Sequence, residues 1–89
     1  MTEVRIPTIL RPFTGGSKTV EGSGETLAGL LADLDSRYPG LAERLIEDGA
    51  LRRFVNVYLN DEDVRFLAGL GTPVTATDSV TILPAVAGG

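Results

Sequence analysis

Cysteine and histidine are both absent from this 89-residue chain. Without cysteine there is no disulfide, no thiolate nucleophile and no thiolate metal site. Without histidine the commonest general base and the commonest metal ligand are missing. Carboxylates alone could still do acid–base work, but this inventory speaks against an autonomous enzyme and against a resident metal. Basic clusters are scarce as well: the net charge is −4, and the one adjacent basic pair is Arg52-Arg53. Nucleic acid, whose phosphates require clustered Lys and Arg, is not an expected partner. No apolar run approaches the roughly 18 residues of a membrane span, and the first residues lack a secretory-signal pattern. The expected location is the cytoplasm, with no membrane partner.

What remains is ordinary. A hydrophobic fraction of 43% and a charged fraction of 22% suit one globular domain with a single modest core. Residues Glu3 to Leu10 read as a strand, with Val4, Ile6 and Leu10 on one face and Arg5, Pro7, Ile9 and Arg11 on the other. Pro7 removes a ladder donor and should sit at a gap or bulge. The turn Thr14-Gly15-Gly16-Ser17 and a short strand from Lys18 to Glu21 complete a hairpin. Leu27, Leu30, Leu31 and Leu34 repeat at helical spacing, with Tyr38 continuing the stripe, Thr26 as N-cap and Pro39-Gly40 as the stop. Such a stripe is core packing, not a cofactor box. A second short helix is expected from Leu41 to Glu47. Phe54 to Leu59 alternates as a strand. Asn60-Asp61-Glu62-Asp63 reads as a polar turn into a short strand at Val64 to Phe66. Leu67 to Asp78 has loop composition, and Ser79 to Leu83 is the last strand.

This order gives an α+β domain: a mixed sheet of four to five strands with one main helix on one face. A single helix leaves the second face bare. If the helix covers Val4, Ile6, Val55, Val57, Val80 and Ile82, then Ile9, Phe54, Tyr58 and Leu83 lie on the open side. Scattered apolar residues on a sheet surface are normal, but several on neighbouring strands mark a partner site.

Three local motifs fail. Gly15-Gly16-Ser17-Lys18-Thr19 lacks the order of a phosphate-binding loop, and Gly22-Ser23-Gly24 has Leu27 where a dinucleotide fingerprint needs its third glycine. Asp61, Glu62 and Asp63 lack the glycine of a calcium loop, and Arg65 occupies a ligand slot. All read as solvated turns.

The chain ends Leu83-Pro84-Ala85-Val86-Ala87-Gly88-Gly89. Two glycines without side chains put a terminal carboxylate on a thin strip of backbone that a narrow pocket can accept. From Pro84 to Gly89 the strip reaches roughly 17 Å at about 3.3 Å per residue. Residues 1–84 are accordingly expected to form the domain and 85–89 a flexible tail, although any terminus of small residues also frays.

In element order, in Arg53-Phe54-Val55-Asn56-Val57, and in Asp78-Ser79-Val80-Thr81-Ile82-Leu83-Pro84 leading to Gly88-Gly89, the whole chain resembles the ubiquitin-like β-grasp sulfur carriers. That family includes the thiamine-pathway carrier and the small subunit of molybdopterin synthase. The run Ile6-Pro7-Thr8-Ile9-Leu10-Arg11-Pro12, Thr14-Gly15-Gly16 and the ending Pro84-Ala85-Val86-Ala87-Gly88-Gly89 are most similar to the cysteine-biosynthesis branch of actinobacteria. The resemblance implies a carrier, not an enzyme, with no cofactor of its own. An ATP-using E1-like adenylating and sulfurtransferase enzyme would activate the Gly89 carboxylate, and a sulfur donor would convert it to a thiocarboxylate. It further implies a pyridoxal-phosphate-dependent cysteine synthase as sulfur acceptor, and a metalloprotease that releases the amino acid joined to the Gly89 carbonyl. Gly88, Ala87 and Val86 would thread the channel, and Leu83, Phe54, Tyr58 and Ile9 would dock. A molybdopterin or thiamine role, a ubiquitin-like modifier acylating lysines, and a binding module with an incidental tail stay open.

Overall fold

Alternation and turn chemistry divide the chain into short elements, and the computed structural model describes residues 1–53 and 55–84. Strands β1 (Thr2–Arg5) and β2 (Thr19–Gly22) form the N-terminal hairpin. Helices α1 (Leu27–Arg37) and α2 (Leu41–Leu45) follow, then a small hairpin of β3 (Ile46–Glu47) and β4 (Ala50–Leu51). Strands β5 (Val55–Leu59), β6 (Glu62–Asp63) and β7 (Ser79–Pro84) complete a five-stranded sheet in the order β2-β1-β7-β5-β6. The sheet is mixed, because β7 runs parallel to β1 and antiparallel to β5. The fold is α+β, with five strands and one main helix.

The leucine stripe of α1 is the core. Leu27, Leu30, Leu31 and Leu34 are buried against Val4, Val57, Val80 and Ile82. Each such side chain contributes about 1.5–3 kcal/mol on burial. The Thr26 hydroxyl accepts from the Gly29 amide at 3.2 Å and so caps the helix. Gly24 runs against that first turn. A Cβ placed on it would lie 2.7 Å from the Gly29 carbonyl carbon and strike the Leu30 backbone. Gly24→Ala should therefore cost at least about 1–3 kcal/mol, since rigid backbone cannot yield as a side-chain tip can. Urea unfolding checks this, and an unchanged midpoint would refute the close approach.

Three elements depart from the sequence expectation. The first strand ends at Arg5 instead of Leu10, because Pro7 cannot donate to the ladder; residues Thr8–Thr14 wind into a 3-10 helix with Leu10 N bonded to Pro7 O at 2.9 Å. Helix α2 stops at Leu45 instead of Glu47. Asp48 and Gly49 both take left-handed backbone (φ 53° and 77°), which closes a two-residue hairpin and draws Ile46 and Glu47 into β3. The short strand expected at Val64 to Phe66 is instead Glu62–Asp63. Asn60 and Asp61 (φ 50° and 72°) complete that turn in two residues, so pairing resumes at once. The Asp63 carboxylate then accepts from Arg65 N at 2.9 Å and winds Val64–Phe66 into a 3-10 turn with Phe66 exposed.

Strand β6 is too short to cover the first half of β5. Arg65 fills the gap: its guanidinium donates to Val55 O at 2.6 Å, Arg52 O at 2.7 Å and Asn56 Oδ1 at 2.7 Å. A side chain thus supplies donors that a longer strand would have given.

Candidate docking face and C-terminal site

Strand β7 builds the site by alternation. Val80 and Ile82 point into the core, while Ser79, Thr81 and Leu83 point to the other side of the sheet. Register aligns neighbours on that outer face: Arg5 of β1 and Tyr58 of β5 flank Thr81, and Asn56 stands opposite Leu83. Leu83 is 45% exposed and Ile9, on the 3-10 helix beyond β1, is 66% exposed. Together with Arg5, Pro7 and Arg11 they line a groove of about 400 Å³. On its other side Leu83 joins Tyr58, Asp61 and Thr81 around a hollow of about 210 Å³. Leu83 is thus the ridge between two depressions, a shape suited to insertion into a partner's apolar pocket.

The structure therefore places Ile9, Tyr58 and Leu83 along one face. Ile9 reaches it from a turn and not from a strand. Phe54, also expected there, and Val86, Ala87, Gly88 and Gly89 lie outside the described residues, as does the tail expected at 85–89. Arg5, Arg11 and Thr81 belong to the same face and were not singled out as site residues from the sequence. The alternation of residues 5 to 11 already set Arg5 and Arg11 beside Ile9. Their charge, however, reads as ordinary solvation until the sheet shows what they flank.

The opposite end of β7 is polar and welded shut. Asn60 Nδ2 donates to Asp78 Oδ1 at 2.8 Å, Thr75 N donates to Asp78 Oδ2 at 2.8 Å, and Ser79 N donates to Asn60 Oδ1 at 2.9 Å. The Asn60 amide and then the Thr75 N–H hold the Asp78 carboxyl below its usual range. The Ser23 N–H, aided by Arg37, does the same for Asp33. Both carboxyls are depressed in the folded chain, so their stabilisation is present above the unfolded value and lost as pH falls through the folded one. Stability should decline below about pH 4, where unfolded carboxylates begin to protonate. In Asp78→Asn that acid slope should flatten, with lower stability at neutral pH. Urea midpoints from pH 7 to 3 test this, and parallel profiles would contradict it.

Among the described residues no cluster of carboxylates could hold a metal ion, and no helix is long and apolar enough to cross a membrane. What this face offers chemically is recognition: an exposed apolar ridge at Leu83, five residues before the Gly88-Gly89 pair.

Comparison with known proteins gives consistent results. A model of the ThiS family matches residues 4–89. The sulfur carrier protein CysO of Mycobacterium tuberculosis is 60% identical, covering 97% of this chain and 96% of that protein. A chain in the crystal structure of the Amycolatopsis orientalis BexX/CysO complex matches with a TM-score of 0.95 at 53% identity, covering 100% of both chains. Small archaeal modifier protein 3 of Haloferax volcanii is 44% identical over 72% of this chain and 70% of that protein.

Proposed function

We propose, since this chain belongs to the ThiS family of sulfur carriers, that it carries sulfur as a thiocarboxylate on Gly89 and delivers it for cysteine biosynthesis. The chain is a co-substrate and not an enzyme. The supporting observation is the exposed Leu83 ridge on the strand that leads directly into the Gly-Gly end.

The chemistry needs an activating enzyme. A carboxylate is a poor electrophile until one oxygen becomes a good leaving group. Attack of the Gly89 carboxylate on the α-phosphate of ATP expels pyrophosphate and leaves an acyl-adenylate. A sulfide equivalent then displaces AMP and leaves the thiocarboxylate. Its sulfur is a soft nucleophile, matched to an activated serine derivative held by a pyridoxal-phosphate-dependent synthase. The sulfur displaces the leaving group of that derivative to give a thioester, and the acyl group passes from sulfur to the amino nitrogen. A metalloprotease hydrolyses the resulting amide at the Gly89 carbonyl, releasing the amino acid and restoring the carboxylate. ATP and pyridoxal phosphate belong to the partners; the carrier supplies the reactive end, and Leu83, Tyr58, Ile9 and Phe54 supply the docking surface. A cytoplasmic setting is part of this reading. Likeness to CysO proteins favours the cysteine branch over a thiamine or molybdopterin role.

The test is intact-mass measurement after incubation with ATP, a sulfide source and the cognate activating enzyme. A gain matching replacement of one oxygen by sulfur is expected, and no gain would overturn the reading. A second reading draws on the Haloferax modifier protein: the same activated tail acylates lysines of other proteins. Isopeptide-linked conjugates in cell extract would support it.

A further inference from the structure

Charge on this acidic chain is strongly segregated around the point where β7 ends. None of the 12 Asp and Glu residues falls within positions 4–20, 50–60, 64–77 or 79–89, the segments that bring Arg5, Arg11, Arg53 and Arg65 towards that end. These four are half of the 8 basic residues in a chain of net charge −4. Arg5 and Arg11 line the groove beside Leu83. On the other side, Arg65 bonds to Asn56, the partner of Leu83, and Arg53 lies two residues before Val55, the partner of Pro84. Among the described residues the ion pairs are Arg37–Asp33 and Arg52–Glu47, so none of the four is neutralised by a carboxylate. Glu3, opposite Ser79, and Asp78 lie at the far end of β7, and Asp61 is the one carboxylate that reaches in from that end, sharing a hollow with Tyr58, Thr81 and Leu83.

We infer that enzymes accepting this tail present aspartate or glutamate carboxylates around the mouth of their tail channel, opposite this arginine collar. The inference rests on the sulfur-carrier reading and adds what the partner must look like. Nucleotide phosphates are the rival anion, and distance decides against them. Drawn out in a channel, the tail carries the reacting carboxylate roughly 17 Å beyond Pro84, whereas salt screens exposed charges beyond about 8–10 Å. The collar therefore faces the channel mouth and not the reaction centre. Complementary charge at that position steers encounter and orients the tail before it threads, and it repels partners with a basic mouth.

The experiment measures the association rate constant of the carrier with its purified cognate activating enzyme, from low to high salt, by stopped flow. The variant is the triple Arg5→Glu, Arg11→Glu and Arg53→Glu, which spares Arg65 and its backbone bonds; a triple Arg→Gln variant serves if the first does not melt cooperatively. The parent should associate more slowly as salt rises. The Glu variant should associate at least roughly tenfold more slowly at low salt, with the gap closing at high salt. Equal rates and equal salt slopes would overturn the inference, and faster association of the variant would mean a basic mouth. The parent's sulfur mass gain is read in parallel. A normal gain with salt-insensitive association defeats the collar alone, while no gain defeats the carrier reading beneath it.

Discussion

Removing Gly89 should abolish formation of the thiocarboxylate while leaving the melting curve where it was. Gly89 has no side chain to bury, and every core side chain among the described residues lies at or before Ile82. The shortened chain still ends in a glycine carboxylate, now on Gly88, but about 3.5 Å short of its former reach. Misplacement of a reacting group by 1 Å can cost about 100-fold in rate, and a full residue is worse. Intact-mass analysis after activation should therefore show no sulfur on the truncated chain under conditions that convert the parent completely. Full conversion would sink the proposal that Gly89 is the activated residue.

Leu83→Glu should weaken binding to the activating enzyme about 10- to 150-fold. An apolar side chain of this size is worth about 1.5–3 kcal/mol when buried at an interface, and each 1.4 kcal/mol is about tenfold in affinity. A carboxylate on the ridge also sits beside the arginine groove, so part of the loss reflects a new ion pair within the carrier. Leu83→Ala separates the two effects, because it removes the apolar surface without adding charge. The monomer should lose little stability, as surface substitutions usually stay within about 0.5 kcal/mol, and Leu83 is already 45% exposed. Unchanged affinity for both variants would remove Leu83 from the docking surface.

The parts of this molecule that could be read from sequence are those set by periodicity over many residues. The α1 stripe and the alternation of β5 and β7 each repeat a simple period, and their buried faces match the expected ones from Leu27 to Leu34 and from Val80 to Ile82. The errors fall where two or three residues decide. Pro7 ends β1 five residues early because a missing donor outweighs an apolar pattern that continued to Leu10. Asp48-Gly49 and Asn60-Asp61 each close a two-residue turn, and each shifts the neighbouring element by about one strand's length. Arg65 could not be read at all. Its three acceptors are 9 to 13 residues away in sequence, and nothing local signals that a guanidinium stands in for a strand edge. The candidate docking face was half legible: Tyr58 and Leu83 follow the visible alternation of their strands, but the arginines acquire meaning only when the sheet sets them around one strand end.

The parallel pairing of β1 with β7 has a mechanical consequence. If the tail threads a tight channel as proposed, any pull on it enters the domain at Pro84. Strand β7 is held by β1 over its first half, Ser79 to Thr81, and by β5 over Val80 to Pro84. Those bonds lie across the direction of pull, so the load is shared by all of them in shear instead of opening them one after another from an end. A hairpin placed at the terminus would peel; this arrangement grips. A pull on the C-terminus therefore meets more resistance here than it would in a terminal hairpin.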